Sequence, residues 1–187
     1  MSNNKFDFPF YDCETKLKNN VFLRQPKGNV WNEYTWGEVG LTARKLAAGL
    51  KSLGLKEKSH IGLVSKNCSE WIIADLAITM AGYVSVPFFP TLKSNEMKHL
   101  IEFGDVEALF VGKLEGNWDE MKTGIDTENL PIIAFPHYEG NSKVDEGHQW
   151  HDFINKFEPQ TENYYPDADD IWTIIFTSGT TGASKGA

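Results

Sequence analysis

Short apolar runs alternate with amphipathic stretches along most of this 187-residue sequence. A mainly apolar run of five or six residues suits a strand buried in a sheet, and a longer amphipathic stretch suits a helix that covers the sheet. This alternation predicts an α/β fold in which a parallel or mixed β-sheet is flanked by helices. The expected strands of that sheet are residues 60–65, 83–87, 107–111, 131–135 and 171–176.

Two helices of this α/β pattern carry clear signals. Residues 35–38 have the Thr-x-x-Glu form of a capping box, which predicts a helix that starts there and ends at Gly54. Ser69 is expected to cap a second helix, which is apolar nearly all round. Such a helix is buried on most sides, so Trp71 and Met80 are expected to pack in the core rather than to line an acyl tunnel.

Weaker signals mark the remaining elements. Two short strands, 21–23 and 30–34, are expected to flank a turn. Further helices are expected from Ser94 onward, near 118–125 and at 150–157, and residues 137–147 are expected to form a loop. No linker is evident, so residues 1–187 are expected to belong to one domain.

The composition is that of a soluble globular protein, with 41% hydrophobic and 24% charged residues. A formal net charge of −8 argues against non-specific nucleic-acid binding, which needs a basic face. It does not argue against ATP, because local N–H donors and one lysine can hold phosphate in an acidic protein.

Cys13 and Cys68 match no metal-ligand spacing, and neither a secretory signal nor a membrane-spanning run is evident. We therefore expect a cytoplasmic protein without a transmembrane segment.

The most informative segment for function is the Gly-, Ser- and Thr-rich stretch at 177–187. Glycines free its backbone, hydroxyl and amide groups can face inward, and Lys185 supplies a cation, which together suit a polyphosphate. The pattern Gly-x-x-x-x-Gly-Lys-Ser/Thr does not fit, because Ser184 stands at the second glycine and Gly186 at the hydroxyl residue. Gly-x-Gly-x-x-Gly also fails, and no Gly-x-Ser-x-Gly elbow supports a serine hydrolase.

Residues 176–186 resemble the phosphate loop of the adenylate-forming, or AMP-binding, superfamily, whose usual pattern is Tyr/Phe-Thr-Ser-Gly-Thr/Ser-Thr-Gly-x-Pro-Lys-Gly. The sequence departs from that pattern only at Ser184, which replaces the proline and is expected to loosen the turn before Lys185. Within the superfamily, the sequence is most similar to long-chain fatty acyl-CoA ligases. Further stretches that resemble the family are residues 34–50, 71–87 and 99–112.

The resemblance implies a two-step reaction in which a carboxylic acid, expected to be a fatty acid, attacks ATP and the acyl-adenylate then reacts with coenzyme A. The implied cofactors are ATP, Mg²⁺ and coenzyme A. In such enzymes the loop binds phosphate and contributes no acid, base or nucleophile, so we expect catalytic residues and metal ligands to lie outside this sequence. The residues expected to bind the phosphates of ATP are Thr177, Ser178, Gly179, Thr180, Thr181, Gly182 and Lys185.

The resemblance also implies that residues 1–187 are the N-terminal part of an AMP-binding domain. They would form an incomplete part of the acyl-CoA synthetase-like large domain that ends at the phosphate loop. We expect such a fragment to lack adenylation activity by itself. Two other functions stay open, namely a non-catalytic nucleotide- or partner-binding module derived from such an enzyme and an unrelated phosphate-loop NTPase. An ordinary solvent-exposed loop is the structural alternative.

Two further groups of residues suggest metal binding but have simpler interpretations. His148 and His151 are three positions apart, as in a metal pair on a helix, yet two ligands are too few. The aspartates within 167–170 precede the last apolar run and are expected to form a solvated turn. We therefore predict no metal site among these residues.

Overall fold

The computed structural model describes residues 5–177 and 185–186. Its helices are α1 (Pro9–Lys16), α2 (Trp36–Ser52), α3 (Ser69–Ala81), α4 (Ser94–Phe103), α5 (Trp118–Met121) and α6 (Trp150–Ile154). Its strands are β1 (Val21–Lys27), β2 (Val30–Thr35), β3 (His60–Val64), β4 (Val84–Phe88), β5 (Val106–Val111), β6 (Ile132–Ala134), β7 (His148–Gln149), β8 (Phe176–Thr177) and β9 (Lys185–Gly186). A 3₁₀ turn, Lys122–Gly124, follows α5 directly.

A five-stranded parallel sheet forms the centre of the structure, in the order β4-β3-β5-β6-β7. Helix α3 connects β3 to β4 on one side, and α4 then carries the chain back to β5 on the other side of β3. Strands β1 and β2 form a separate antiparallel hairpin, as expected, although β1 extends to Lys27, beyond the expected strand at 21–23. The predicted α/β fold with helices around a parallel sheet is thereby confirmed.

Helices cover both faces of this sheet and bury two apolar cores. One core lies against α2, α3 and α6 and includes Leu46 and Met80, with Trp71 packed partly buried against it. The other lies against α4 and α5 and includes Leu109 and Met121. The predicted core role of Trp71 and Met80 is therefore confirmed.

The two helices with clear sequence signals begin in different ways. The capping box of α2 is confirmed, because Thr35 Oγ1 accepts from the Glu38 N–H (3.2 Å) and the Glu38 carboxylate accepts from the Thr35 N–H (2.8 Å). The prediction that Ser69 caps α3 was wrong, since Cys68 is the capping residue and makes no side-chain cap. Instead, the Ser69 N–H donates to Gln25 Oε1 of β1 (3.0 Å), so a side chain distant in sequence satisfies the start of α3.

The apolar run at 171–176 was predicted as a full strand of the sheet, and that prediction was wrong in its extent. Only Phe176 of this run lies in a strand, β8, and Thr173 makes an isolated parallel bridge with Ser85 of β4. The run therefore passes along the β4 edge of the sheet without extending it by a regular strand.

The chemistry of β4 explains why this pairing stops. The Ser85 N–H donates to the Trp172 carbonyl (3.1 Å), and the Ile174 N–H donates to the Ser85 carbonyl (2.9 Å). The next donor along the same edge of β4 would be Pro87, which has no N–H. The ladder therefore ends after one bridge, and the chain is free to turn away toward β8.

Candidate functional site

The predicted phosphate loop begins and ends on a short β-hairpin. Strand β8 pairs antiparallel with β9, which places Phe176 opposite Gly186 and Thr177 opposite Lys185. The backbones of the two outermost predicted phosphate-binding residues, Thr177 and Lys185, are thus held side by side at the base of the loop. The other five predicted residues lie outside the described part of the chain, and they are Ser178, Gly179, Thr180, Thr181 and Gly182.

The base of this loop is anchored by Phe176, which is buried in the core that contains α4 and α5. Its ring stacks on Phe88 at the end of β4, with centroids 5.9 Å apart and an interplanar angle of 8°. It also contacts Phe103 of α4 at 6.0 Å. A Cβ atom added at Gly104 would lie only 3.2 Å from the Phe176 ring. The first aromatic of the loop pattern therefore fixes the base of the loop to the sheet and to α4.

The aspartates ahead of the loop form a turn, as predicted, but one of them has a defined partner. The Asp170 carboxylate pairs with Lys58 Nζ at 2.5 Å and accepts from the Asp167 N–H at 3.0 Å. The Lys58 ammonium and the Asp167 amide hold the pKa of Asp170 below its usual value. Asp170 therefore anchors this turn through Lys58. The prediction of a solvated turn did not include such a partner.

An apolar groove of about 570 Å³ lies beside the base of the loop. Its lining includes Phe103, Trp172, Ile174 and Phe176, together with His60, whose Nδ1 lies 2.6 Å from the Gly104 carbonyl oxygen. Residues 172–174, which make the single bridge to β4, form part of the wall of this groove. The structure thus places an apolar surface next to the hairpin that closes the loop.

A half-buried carboxylate lies in α3, near the same edge of the sheet. Burial raises the pKa of Asp75, and the nearby Ser85 hydroxyl offsets part of that effect. The folded protein therefore binds this proton more tightly than the unfolded chain does. The resulting stabilisation is complete below the ordinary value of 3.8 and is lost as pH rises through the higher pKa of the folded state.

Asp75→Asn is expected to raise the free energy of unfolding at pH 7 by about 1 kcal/mol, because it removes a desolvated charge. The gain should shrink as pH falls toward 3.8, where wild-type Asp75 is protonated as well. Urea denaturation between pH 4 and pH 8 measures this difference. Asp152→Asn, at an exposed position, is the matched control. A gain that is equal at every pH, or equal in the control, would contradict the prediction.

The two histidines considered as a metal pair do not share a helix, so that arrangement was wrong. His148 lies in β7 and stacks on Phe153 at 5.0 Å, whereas His151 lies in α6. Within residues 5–177 and 185–186, no group of three or more His, Cys, Asp or Glu side chains is arranged to hold a metal ion. In the same part of the chain, every helix is too short or too polar to cross a bilayer.

The residues that anchor the segment leading to the loop were not predicted from the sequence. Trp172 donates from its indole Nε1 to Thr79 Oγ1 of α3 (2.8 Å), a contact across 93 positions of sequence. Lys58, which pairs with Asp170, carries no motif of its own. The available signal was the density of aromatic residues, since Phe6 and Phe8 near the start of the chain both contact Trp172.

Comparison with known families gives a match over nearly the whole chain. The family described as AMP-binding enzyme matches residues 13–187. Two relatives from Arabidopsis thaliana are the peroxisomal long chain acyl-CoA synthetase 6, 31% identical over 165 residues, and long chain acyl-CoA synthetase 5, 30% identical over 173 residues. These alignments cover 81% and 84% of this chain but 23% and 24% of the two relatives. The chain thus spans about a quarter of the length of these curated relatives.

Solved structures share the fold at lower sequence identity. An anthranilate CoA ligase in complex with anthranoyl-AMP aligns with a TM-score of 0.79 and 20% identity, covering 95% of this chain and 33% of the ligase. A long-chain-fatty-acid-CoA ligase from Archaeoglobus fulgidus aligns with a TM-score of 0.75 and 18% identity, covering 95% and 35%. The arrangement of sheet and helices described above is therefore shared with about a third of each of these proteins.

Proposed function

The chain belongs to the AMP-binding enzyme family, and from that premise we propose that the protein containing it is an ATP-dependent ligase that joins a carboxylic acid to coenzyme A. A fatty acid is the proposed substrate, because relatives at 30% and 31% identity are named long chain acyl-CoA synthetases. A cytoplasmic location is also proposed, while one of those relatives is named as peroxisomal.

The observation that carries this proposal is the loop pattern on its hairpin base. The order of residues at 176–186 matches the adenylate-forming pattern at every position except Ser184. The pairing of β8 with β9 brings Thr177 and Lys185 together, as a loop that encloses a polyphosphate requires. An unrelated phosphate-loop NTPase is disfavoured because its Gly-x-x-x-x-Gly-Lys-Ser/Thr spacing is absent from this loop.

The proposed reaction has two balanced steps. A carboxylate oxygen bonds to the α-phosphorus of ATP while the bond from that phosphorus to the bridging oxygen breaks, so that pyrophosphate leaves and an acyl-adenylate forms. The thiol of coenzyme A then gives its proton to solvent and its sulfur bonds to the acyl carbon, while the bond from that carbon to the phosphate oxygen breaks and AMP leaves. Negative charge accumulates on the departing pyrophosphate in the first step, which is where fixed donors lower the barrier most.

The proposed roles of the loop residues follow from that charge. The hydroxyls of Thr177, Ser178, Thr180 and Thr181 would donate to phosphate oxygens, Gly179 and Gly182 would let the backbone close around them, and Lys185 would supply the positive charge. This donor set suits the β- and γ-phosphates, and it contains no carboxylate of the kind that commonly binds Mg²⁺. Mg²⁺ would stabilise the same phosphates, and we assign its ligands and the coenzyme A site to residues outside this chain.

Acid-dependent exchange between ATP and labelled pyrophosphate tests the proposal. A longer protein that contains this chain is expected to catalyse exchange only when a carboxylic acid is present, and long-chain fatty acids should support it best. The isolated 187-residue chain is expected to show no exchange, because the proposed metal and adenine ligands lie outside it. Exchange by the isolated chain would contradict its inactivity. Nucleotide binding by the longer protein without exchange would favour the non-catalytic module.

A further inference from the structure

An irregular segment, residues 163–174, leads toward the predicted phosphate loop and is here called the strap. At its start, Asn163 Oδ1 accepts a hydrogen bond from Arg44 Nη1 of α2 (2.8 Å). Farther along, Asp170 pairs with Lys58 at 2.5 Å. The strap is thus tied to the rest of the fold by polar contacts at separate points.

The tie nearest to the loop is Trp172. Its indole Nε1 donates to Thr79 Oγ1 of α3 (2.8 Å), and its carbonyl accepts from the Ser85 N–H of β4 (3.1 Å). Thr79 is almost fully buried, whereas Trp172 is 36% exposed, so this bond ties a partly exposed ring to the interior. The Thr79 hydroxyl also donates to the Asp75 carbonyl (3.2 Å). One residue therefore fixes the strap to a helix and to a strand at once.

The segment at 5–8 holds Trp172 from its other side. The rings of Phe6 and Phe8 meet the Trp172 ring edge-on, with centroids 5.3 Å and 5.2 Å away and interplanar angles of 71° and 72°. The Phe6 N–H donates to the Pro166 carbonyl of the strap (2.8 Å). Residues near the start of the chain thus clamp the strap that precedes its last described strands.

A cavity of about 150 Å³ lies between the strap and the C-terminal end of α3. Its lining includes Phe6, Thr79, Gly82, Tyr164 and Trp172. Because side chains leave this space unfilled, the strap lacks continuous packing against α3, and its position depends on the few contacts around the rim. Segments held by few buried contacts open locally at low cost in free energy.

The strap is connected to the base of the loop by only a few residues. Two residues after Trp172, the Ile174 N–H donates to the Ser85 carbonyl (2.9 Å), and two residues later Phe176 enters the core and begins β8. We propose that Trp172 is a positioning residue for β8 and β9, the base of the predicted phosphate loop, and that the segment at 5–8 clamps Trp172 in place. Only the consequence for ATP use rests on the proposed function, because the effect on β8 and β9 is a property of the fold.

Residue-resolved amide hydrogen exchange on the 187-residue chain tests the structural step. Trp172→Phe keeps an aromatic ring but loses the indole N–H, so the amides of Ile174 and of β8 and β9 are expected to exchange about five- to tenfold faster. Trp31→Phe, at an exposed position in β2, is the matched control and should leave those amides unchanged. Unchanged exchange in β8 and β9 of the Trp172 variant would overturn the proposal.

A pair of substitutions at Thr79 separates the hydrogen bond from general destabilisation. Thr79→Val removes the oxygen that accepts from Trp172 and should reproduce the faster exchange in β8 and β9. Thr79→Ser keeps that oxygen and should restore exchange to within about twofold of wild type. Faster exchange in both variants, or in neither, would contradict the assigned role.

ATP kinetics of the longer protein test the functional step. Trp172→Phe and Phe6→Ala are expected to raise KM for ATP about three- to tenfold with a smaller change in kcat, because they displace a binding loop and not a catalytic group. Phe89→Ala, at an exposed position after β4, is the control. An unchanged KM in the Trp172 variant overturns the positioning role. If the wild-type protein does not use ATP, the proposed function is wrong. Hydrogen exchange would still show whether Trp172 positions β8 and β9.

Discussion

Arg44→Ala is expected to lower the free energy of unfolding by about 1–3 kcal/mol, because it removes one partner from a partly buried ion pair. The guanidinium of Arg44 in α2 bonds to the Glu14 carboxylate of α1 through Nη2 to Oε2 (2.7 Å) and Nε to Oε1 (3.4 Å). The two side chains are 16% and 17% exposed, so alanine would leave the partly buried Glu14 carboxylate without its partner. The substitution also releases Asn163, at the start of the strap.

Urea denaturation followed by circular dichroism measures this loss. Arg24→Ala is a matched control, because Arg24 pairs with Glu33 at 2.9 Å in the β1–β2 hairpin while the two side chains are 64% and 48% exposed. That control should lose less than about 1 kcal/mol, as exposed ion pairs do. The double variant Arg44→Met with Glu14→Leu should recover much of the loss. Equal small losses at Arg44 and Arg24 would contradict this account of the partly buried pair.

The second large effect is expected at Lys185. In a longer protein with the proposed activity, Lys185→Ala should lower kcat/KM for ATP about 100-fold or more. The substitution removes the positive charge that would stabilise the departing pyrophosphate. Lys185→Arg keeps the charge and should lose less. Lys143→Ala removes an exposed lysine that pairs with Asp145 and is the control.

Steady-state kinetics with ATP as the varied substrate, together with thermal melting of each variant, measure the Lys185 effect. The melting temperatures should change little, because Lys185 lies in a two-residue strand at the end of the loop. A Lys185→Ala protein within about twofold of wild type in kcat/KM would show that this residue does not hold the phosphates.

Local signals in the sequence predicted much of the fold. The capping box that begins at Thr35 acts within a single helical turn, and the strands β3 to β6 follow from apolar runs of the right length. Signals that depend on distant residues were missed. The first N–H of α3 is satisfied by Gln25, 44 positions earlier, and no local pattern at Ser69 indicates that partner. The extent of the run at 171–176 was overestimated because its ladder is limited by a proline in a different strand, β4.

In the candidate site as well, local features could be predicted from the sequence and contacts between distant residues could not. The order of residues around Lys185 predicts a loop with a specific ligand chemistry, and the β8–β9 pairing agrees with a closed loop. The support beneath the loop has no comparable signature, because Trp172 and Thr79 meet only after α3 packs beside β4. Phe176 is a partial exception, since the aromatic position belongs to the resemblance although its stacking on Phe88 does not follow from the sequence.

Analysis of the nucleotide products is the most direct test of the central claim, that this chain carries the phosphate loop of an AMP-forming acyl-CoA ligase. A longer protein that contains the chain would be incubated with ATP, Mg²⁺, coenzyme A and a long-chain fatty acid, with Lys185→Ala in parallel. The account predicts AMP, pyrophosphate and acyl-CoA in equal amounts, dependent on the acid and strongly reduced in the variant. Formation of ADP and phosphate, with or without the acid, would contradict it.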